Sequence, residues 1–328
     1  MKNDPVASQG PWIIRNAMWL GTVTIILAYA LFIEWFWGWL VIVERWQKAG
    51  WAAAVLAIVL LLMTYVLRTW RIHDYFSAET KGRFGVLLRL VQVHNLLNVM
   101  MPFRTGEASF PLLMRREFDV PLARSTSALL VMRLFDLHAL LAAAAVGKAL
   151  AMYSQGYGGW VWLLWLAFLV LPAIAFALRG RAVEMVAKIL PSNGKGAKLQ
   201  RLVEEAAAGL PANKAAFARA WGVTLVNWFV KVAVLAWVLV LLCGLDLGAA
   251  FGGGLGGELS SVLPVHAPAG VGTYPAGITA GAIAFGASTG KEALEMLAQA
   301  AVNAHLLIIM SSLVGTALSL LFARAPKN

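Results

Sequence analysis

Long apolar runs alternate with short polar stretches throughout this chain. Ala17–Ile33, Trp51–Leu67, Ser125–Leu150, Trp160–Leu178, Ala220–Leu245 and Leu297–Phe322 are the runs of spanning length. A hydrocarbon core of about 30 Å needs about 20 residues per helical crossing, so each run predicts one transmembrane helix. The runs are continuous and rich in Leu, Ala and Val, unlike the ten-residue alternating segments of a membrane barrel. The expected fold is an all-α polytopic membrane protein, with about six full transmembrane helices in a single membrane domain over residues 1–328. The N-terminal run stays apolar too long for a cleaved signal and is read as a retained anchor.

Charge assigns the sides. Between Arg179 and Arg219 eight basic residues face Glu184, Glu204 and Glu205, which places the loop 179–219 in the cytoplasm. The stretch after Leu150 carries no basic or acidic residue until Arg179, and Lys231 is the lone Lys or Arg between Trp221 and Gly290, so both following loops lie outside. Gly85–Met101 looks like a seventh crossing, but a crossing there would put Arg115, Arg116 and Arg124 on the wrong side. A re-entrant hairpin over 84–118 removes the conflict, turning at Pro102–Glu107, where Pro and Gly supply the turn. The stretch 247–286 reads as a second hairpin entering from outside and breaking over Pro264–Gly272.

The two breaks echo each other. Gly106, Ser109, Phe110 and Pro111 match Gly270, Thr273, Tyr274 and Pro275; Asp136, His138 and Gly147 match Asn303, His305 and Gly315. Three crossings separate the hairpins, so the expectation is an inverted repeat: 17–150 containing hairpin 84–118, and 160–322 containing hairpin 247–286.

Composition narrows the function classes. Hydrophobic residues make up 60% of the 328 positions and charged ones 13%, which excludes an ordinary soluble domain. The formal charge of +11 fits cytoplasmic loops, so no nucleic-acid partner is expected. Cys243 is the single cysteine, which excludes an internal disulfide and a cysteine metal cluster. The nucleotide-type matches at Gly252–Gly257 and Gly290-Lys291 lack their strand and Ser/Thr context, and the glycines read instead as close helix packing. No metal or cofactor is expected.

Charges at membrane depth carry the candidate chemistry. Arg104 and Glu107 flank the first turn, a cation for a phosphate held by a carboxylate or a pair that stabilises the tip. Arg133 and Asp136 repeat that spacing on the next crossing, where they can pair with each other or with the hairpin. Lys231 lies mid-span, and His266 lies beside the second break. Asn98, Gly270, Gly272 and Thr273 add hydrogen-bonding or backbone groups at the turns, each equally open to a capping role.

The pattern Asn98-x-x-x-Pro102-x-Arg104-x-Gly106-Glu107, then Arg115, Arg133-x-x-Asp136 and Pro268-x-Gly270-x-Gly272, resembles the transmembrane region of lysylphosphatidylglycerol synthase-flippases, a flippase-like family that also includes hopanoid-cluster proteins. The chain departs from it at Pro275, where a glutamate is common, and at Ala269, where glycine is usual. The resemblance implies a lipid translocator of the bacterial inner membrane with both termini cytoplasmic, moving an anionic phospholipid or isoprenoid-type lipid between leaflets. Its implied partners are that lipid and enzymes of lipid biosynthesis. Two other readings stay open: a membrane enzyme modifying a lipid headgroup through Glu107, Asp136 or His266, and a non-catalytic subunit of a lipid-synthesis complex.

Overall fold

The computed structural model describes residues 12–189, 193–262 and 267–322 and contains, among them, thirteen α-helices and no strand. In chain order these are α1 (Trp12–Phe36), α2 (Trp39–Ala49), α3 (Trp51–Tyr75), α4 (Phe84–Met100), α5 (Ser109–Phe118), α6 (Leu122–Ser154), α7 (Trp160–Leu169), α8 (Leu171–Ile189), α9 (Gly194–Ala208), α10 (Lys214–Cys243), α11 (Leu247–Val262), α12 (Thr273–Ala284) and α13 (Lys291–Phe322). Four of them, α3, α6, α10 and α13, are long and apolar enough to cross a membrane unbroken.

The runs predicted at Ala17–Ile33 and Trp160–Leu178 belong instead to bent pairs. α1 and α2 meet at 80°, and α7 and α8 at 49°. Gly38 makes the first bend, at a φ of 80° that side-chain-bearing residues rarely adopt. Pro172 explains the second: it lacks the N–H that would bond the Phe168 carbonyl one turn back. His138 fills that vacancy, its Nε2 lying 2.9 Å from the Phe168 oxygen. The predicted basic loop 179–219 contains the helix α9.

In each predicted hairpin segment two helices pack against one another. α4 and α5 run antiparallel, since Arg89 meets Glu117 and His94 meets Ser109. A 3-10 turn over Pro102–Ala108 joins them. Its Gly106 is obligatory, because a Cβ there would stand 2.5 Å from the Leu97 carbonyl. Phe110, Met114 and Phe118 bury against Ile72, Phe76, Leu87 and Val91, which anchors this short hairpin to α3. α11 and α12 are held by glycine. The backbone at Gly252 touches that at Gly281, and Gly256 touches Gly277, so the small-xxx-small spacing on both arms brings the two backbones together.

The hairpins sit inside a frame of long helices. α3 and α10 are antiparallel: Arg71 meets Thr224, Arg68 meets Trp228, and further along Ala57 and Leu61 pack with Leu235 and Leu239. α4 lies antiparallel to α13, with Gln92 beside Thr316 and Asn95 beside Ser312. The two hairpin tips meet at the centre of this frame.

Candidate functional site

Where the tips meet, the lining of a small cavity includes Arg68 of α3, Asn95 and Asn98 of α4, Arg104 of the first turn, Arg133 of α6, Trp228 and Lys231 of α10, Glu258 of α11 and Gly270 of the second turn. Its volume is about 60 Å³. Helical spacing delivers these groups: Arg68 and Arg71 are one turn apart on α3, and Thr224, Trp228 and Lys231 fall on one face of α10.

The charges form a ladder across the bundle. At one end Arg71 holds Asp136 with both terminal nitrogens, at 2.6 and 3.3 Å. The Trp228 indole donates to the same carboxylate at 2.9 Å, and Arg71 also donates to Thr224 at 2.9 Å. In the middle Arg133 bridges the two carboxylates, 3.2 Å from Asp136 and 2.9 Å from Glu107. Glu107 also pairs with Arg104, and His94 Nε2 stands 3.8 Å from it. Arg104 reaches across to donate to the Val262 carbonyl at the end of α11, stitching one hairpin to the other. At the far end Lys231 donates to Glu258 at 2.8 Å, and the Tyr274 hydroxyl donates to the other oxygen at 2.7 Å. Glu258 has no exposed surface at all.

Five cations, Arg68, Arg71, Arg104, Arg133 and Lys231, therefore meet three carboxylates, Glu107, Asp136 and Glu258, which leaves an excess of two positive charges. Arg68 is the cation that, among the described residues, has no carboxylate within ion-pair distance. It donates to the side-chain Oδ1 of Asn95 at 3.0 Å, lies 5.9 Å over the Trp228 ring, and its Nε is buried without a partner. Asn98 Oδ1, on the same wall, is likewise buried and unpartnered among the described residues. An anion entering here would meet a field already prepared for it, and a second cation would not.

The predicted residues divide by place. Asn98, Arg104, Arg133, Lys231 and Gly270 line the cavity. Glu107 and Asp136 stand behind it and hold the arginines. Gly272, at a φ of 73°, begins α12, and the Thr273 hydroxyl donates to the Gly270 carbonyl, so both shape the turn. His266, with the Pro264 end of the predicted break, lies outside the described residues. His305 binds the Ala269 carbonyl at 2.8 Å and stacks on Tyr274, a positioning role for the second tip. No group of three or more His, Cys, Asp or Glu among the described residues is placed to hold a metal ion.

Sequence reasoning missed Arg68, Arg71, Trp228 and Glu258. The two arginines follow Leu67 and read as loop, whereas α3 runs on to Tyr75. Glu258 had a visible signal: it is the one acidic residue between Asp246 and Glu292.

A family model described as "Lysylphosphatidylglycerol synthase TM region" matches residues 18–320. No curated protein and no solved structure matches the chain.

Proposed function

The chain belongs to the lysylphosphatidylglycerol synthase transmembrane-region family, a membrane family related to lipid handling, and from that premise we propose that it translocates an anionic lipid between the leaflets of the bacterial inner membrane. The observation that carries this reading is the excess of positive charge around a cavity at the meeting point of two helical hairpins. Charges in a bilayer are costly and are kept where they meet a pathway or a partner. Here Arg68 and Arg104 receive the phosphate of the headgroup, while Glu107 and Asp136 hold Arg104, Arg133 and Arg71 in place until it arrives.

The halves 17–150 and 160–322 act as an inverted repeat. Three features support this: each contains a bent pair, a long helix, a hairpin and a long helix in that order; the matching helices α3 and α10 run antiparallel; and the hairpins meet tip to tip. Rocking of the halves about the tips exposes the cavity to one leaflet and then the other. Without a nucleotide site among the recognised motifs, transport is facilitated or ion-coupled. The enzyme reading is weakened by the same geometry, because Glu107 and Asp136 each engage two arginines and are poorly placed to exchange a proton with substrate.

Proteoliposomes carrying fluorescent phosphatidylglycerol test the reading by dithionite quenching of the outer leaflet. Protein-dependent quenching of the inner-leaflet label is expected. Arg68→Ala and Arg104→Ala should each slow it about tenfold, the equivalent of about 1.4 kcal/mol in the rate-limiting barrier. Equal rates with and without protein, or in protein and both variants, would overturn it.

A further inference from the structure

A headgroup drawn into a buried cavity needs a route for its hydrocarbon tail, and the far side of Trp228 offers one. Trp228 is almost fully buried and separates two environments. One side of the residue belongs to the charged cavity, with Arg68 and Lys231 at 5.9 and 5.4 Å from the ring centroid. The other borders an apolar groove of about 380 Å³ between α6, α7 and α10, walled by residues that include Leu140, Ala143, Trp165, Leu225 and Val232. Beside it lies a second groove of about 590 Å³ between α6, α10 and α11, the two sharing Val146, Phe229 and Phe251 as common wall.

The second groove is built from small residues against aromatic ones. Gly147, Ala233, Ala236 and Gly248 face Trp237, Phe251 and Phe285. Gly147 is needed for its shape, since a Cβ there would run into the Phe285 ring. Phe229, at the junction, is 72% exposed and opens the groove to the bilayer. Both grooves lie along α6 and α10, which are membrane spans by length and composition.

We infer that this groove is a binding site for one hydrocarbon tail of the transported lipid, acyl or isoprenoid, whose headgroup sits on the charged side of Trp228. The inference rests on the proposed translocation and names the shape of its substrate: a single long chain leaving the headgroup on the α6–α10 side. A tail gains nothing from hydrophobicity on moving from lipid into protein, because the bilayer is equally apolar. What the groove supplies is an apolar wall beside the cavity, so that the chain stays out of the ionic ladder while its headgroup enters it. The indole of Trp228, fixed by its bond to Asp136, is the wall common to cavity and groove, with the headgroup on one side and the tail on the other.

The test uses the full chain in nanodiscs with two probes, a phosphatidylglycerol bearing a diazirine near the end of one acyl chain and a polyprenyl phosphate bearing one in its tail. Irradiation and peptide mapping should place adducts of one probe on residues 139–147, 225–240 and 247–251. The probe that labels identifies the tail as acyl or isoprenoid. Ala233→Trp, which fills the groove without touching the charged cavity, should reduce those adducts about tenfold. Adducts spread evenly over the lipid-facing helices of the unmodified chain would overturn the inference, as would Ala233→Trp protein with undiminished groove labelling. Both results read binding alone, so they stand apart from the quenching assay. Arg104-dependent transport with no groove adducts removes the tail site and leaves translocation standing; groove adducts without transport do the reverse.

Discussion

Removing the charge of Glu258 should cost far more than removing the whole Lys231–Glu258 pair. Glu258 is fully buried and accepts from Lys231 at 2.8 Å and Tyr274 at 2.7 Å; the Lys231 side chain is 9% exposed. In Glu258→Gln the amide oxygen can still accept from Tyr274, but the ammonium of Lys231 is left without its carboxylate. Breaking a buried pair from one side costs about 3–5 kcal/mol. The lower figure applies here, because polar groups of a chain unfolded within a membrane also find partners, so about 3 kcal/mol is expected. Lys231→Met should cost a similar about 3 kcal/mol, now from an unpaired carboxylate. Additivity would then give about 6 kcal/mol for the double variant, whereas loss of both charges together should cost about 1 kcal/mol. Steric trapping in bicelles reads these differences as shifts in the unfolding equilibrium. The reasoning is refuted if Glu258→Gln unfolds within about 0.5 kcal/mol of the unmodified chain, or if the double variant loses the full sum.

Two further outcomes follow from the packing and the orientation of the hairpins. Gly256→Leu should destabilise by about 1–3 kcal/mol or more, since its side chain must part α11 from the Gly277 backbone; Gly222→Leu, with open space around it, should stay within about 0.5 kcal/mol in the same measurement. In a Cys243→Ser background, single cysteines at Lys81 and Ser288, both exposed at the bases of the two hairpins, should react with an impermeant maleimide from opposite sides of sealed vesicles, and same-side labelling would sink the inverted arrangement.

Helices and hairpins were readable from the chain because hydropathy and the placement of basic residues are local signals. The conflict between an apolar stretch at Gly85–Met101 and the arginines after it was enough to expose α4 and α5 as a hairpin. Arg104–Glu107 and Arg133–Asp136 were readable for the same reason, each pair sitting one helical turn apart. The rest of the ladder is non-local. Arg71 finds Asp136 65 residues on and Thr224 153 residues on, and no spacing rule links them. The apolar groove was invisible too, since a chain pattern marks Ala143, Ala233 and Gly147 as membrane-facing or packed without saying that they leave space between α6 and α10.

The stitching between the two halves also sets a schedule for biosynthesis. Arg104 donates to a carbonyl 158 residues downstream, the Asn95 amide to a hydroxyl 217 residues downstream, and the Gln92 carbonyl waits for Thr316, 224 residues away. At about 5–20 residues per second, a ribosome needs about 10–45 s to cover that last distance. For that interval part of the polar surface of α4 is unmatched, and only the final helix closes it. A chain stalled before Lys291 therefore has every member of the ionic ladder made, while the groups of α4 that face α13, Gln92 and Asn95, still lack Thr316 and Ser312.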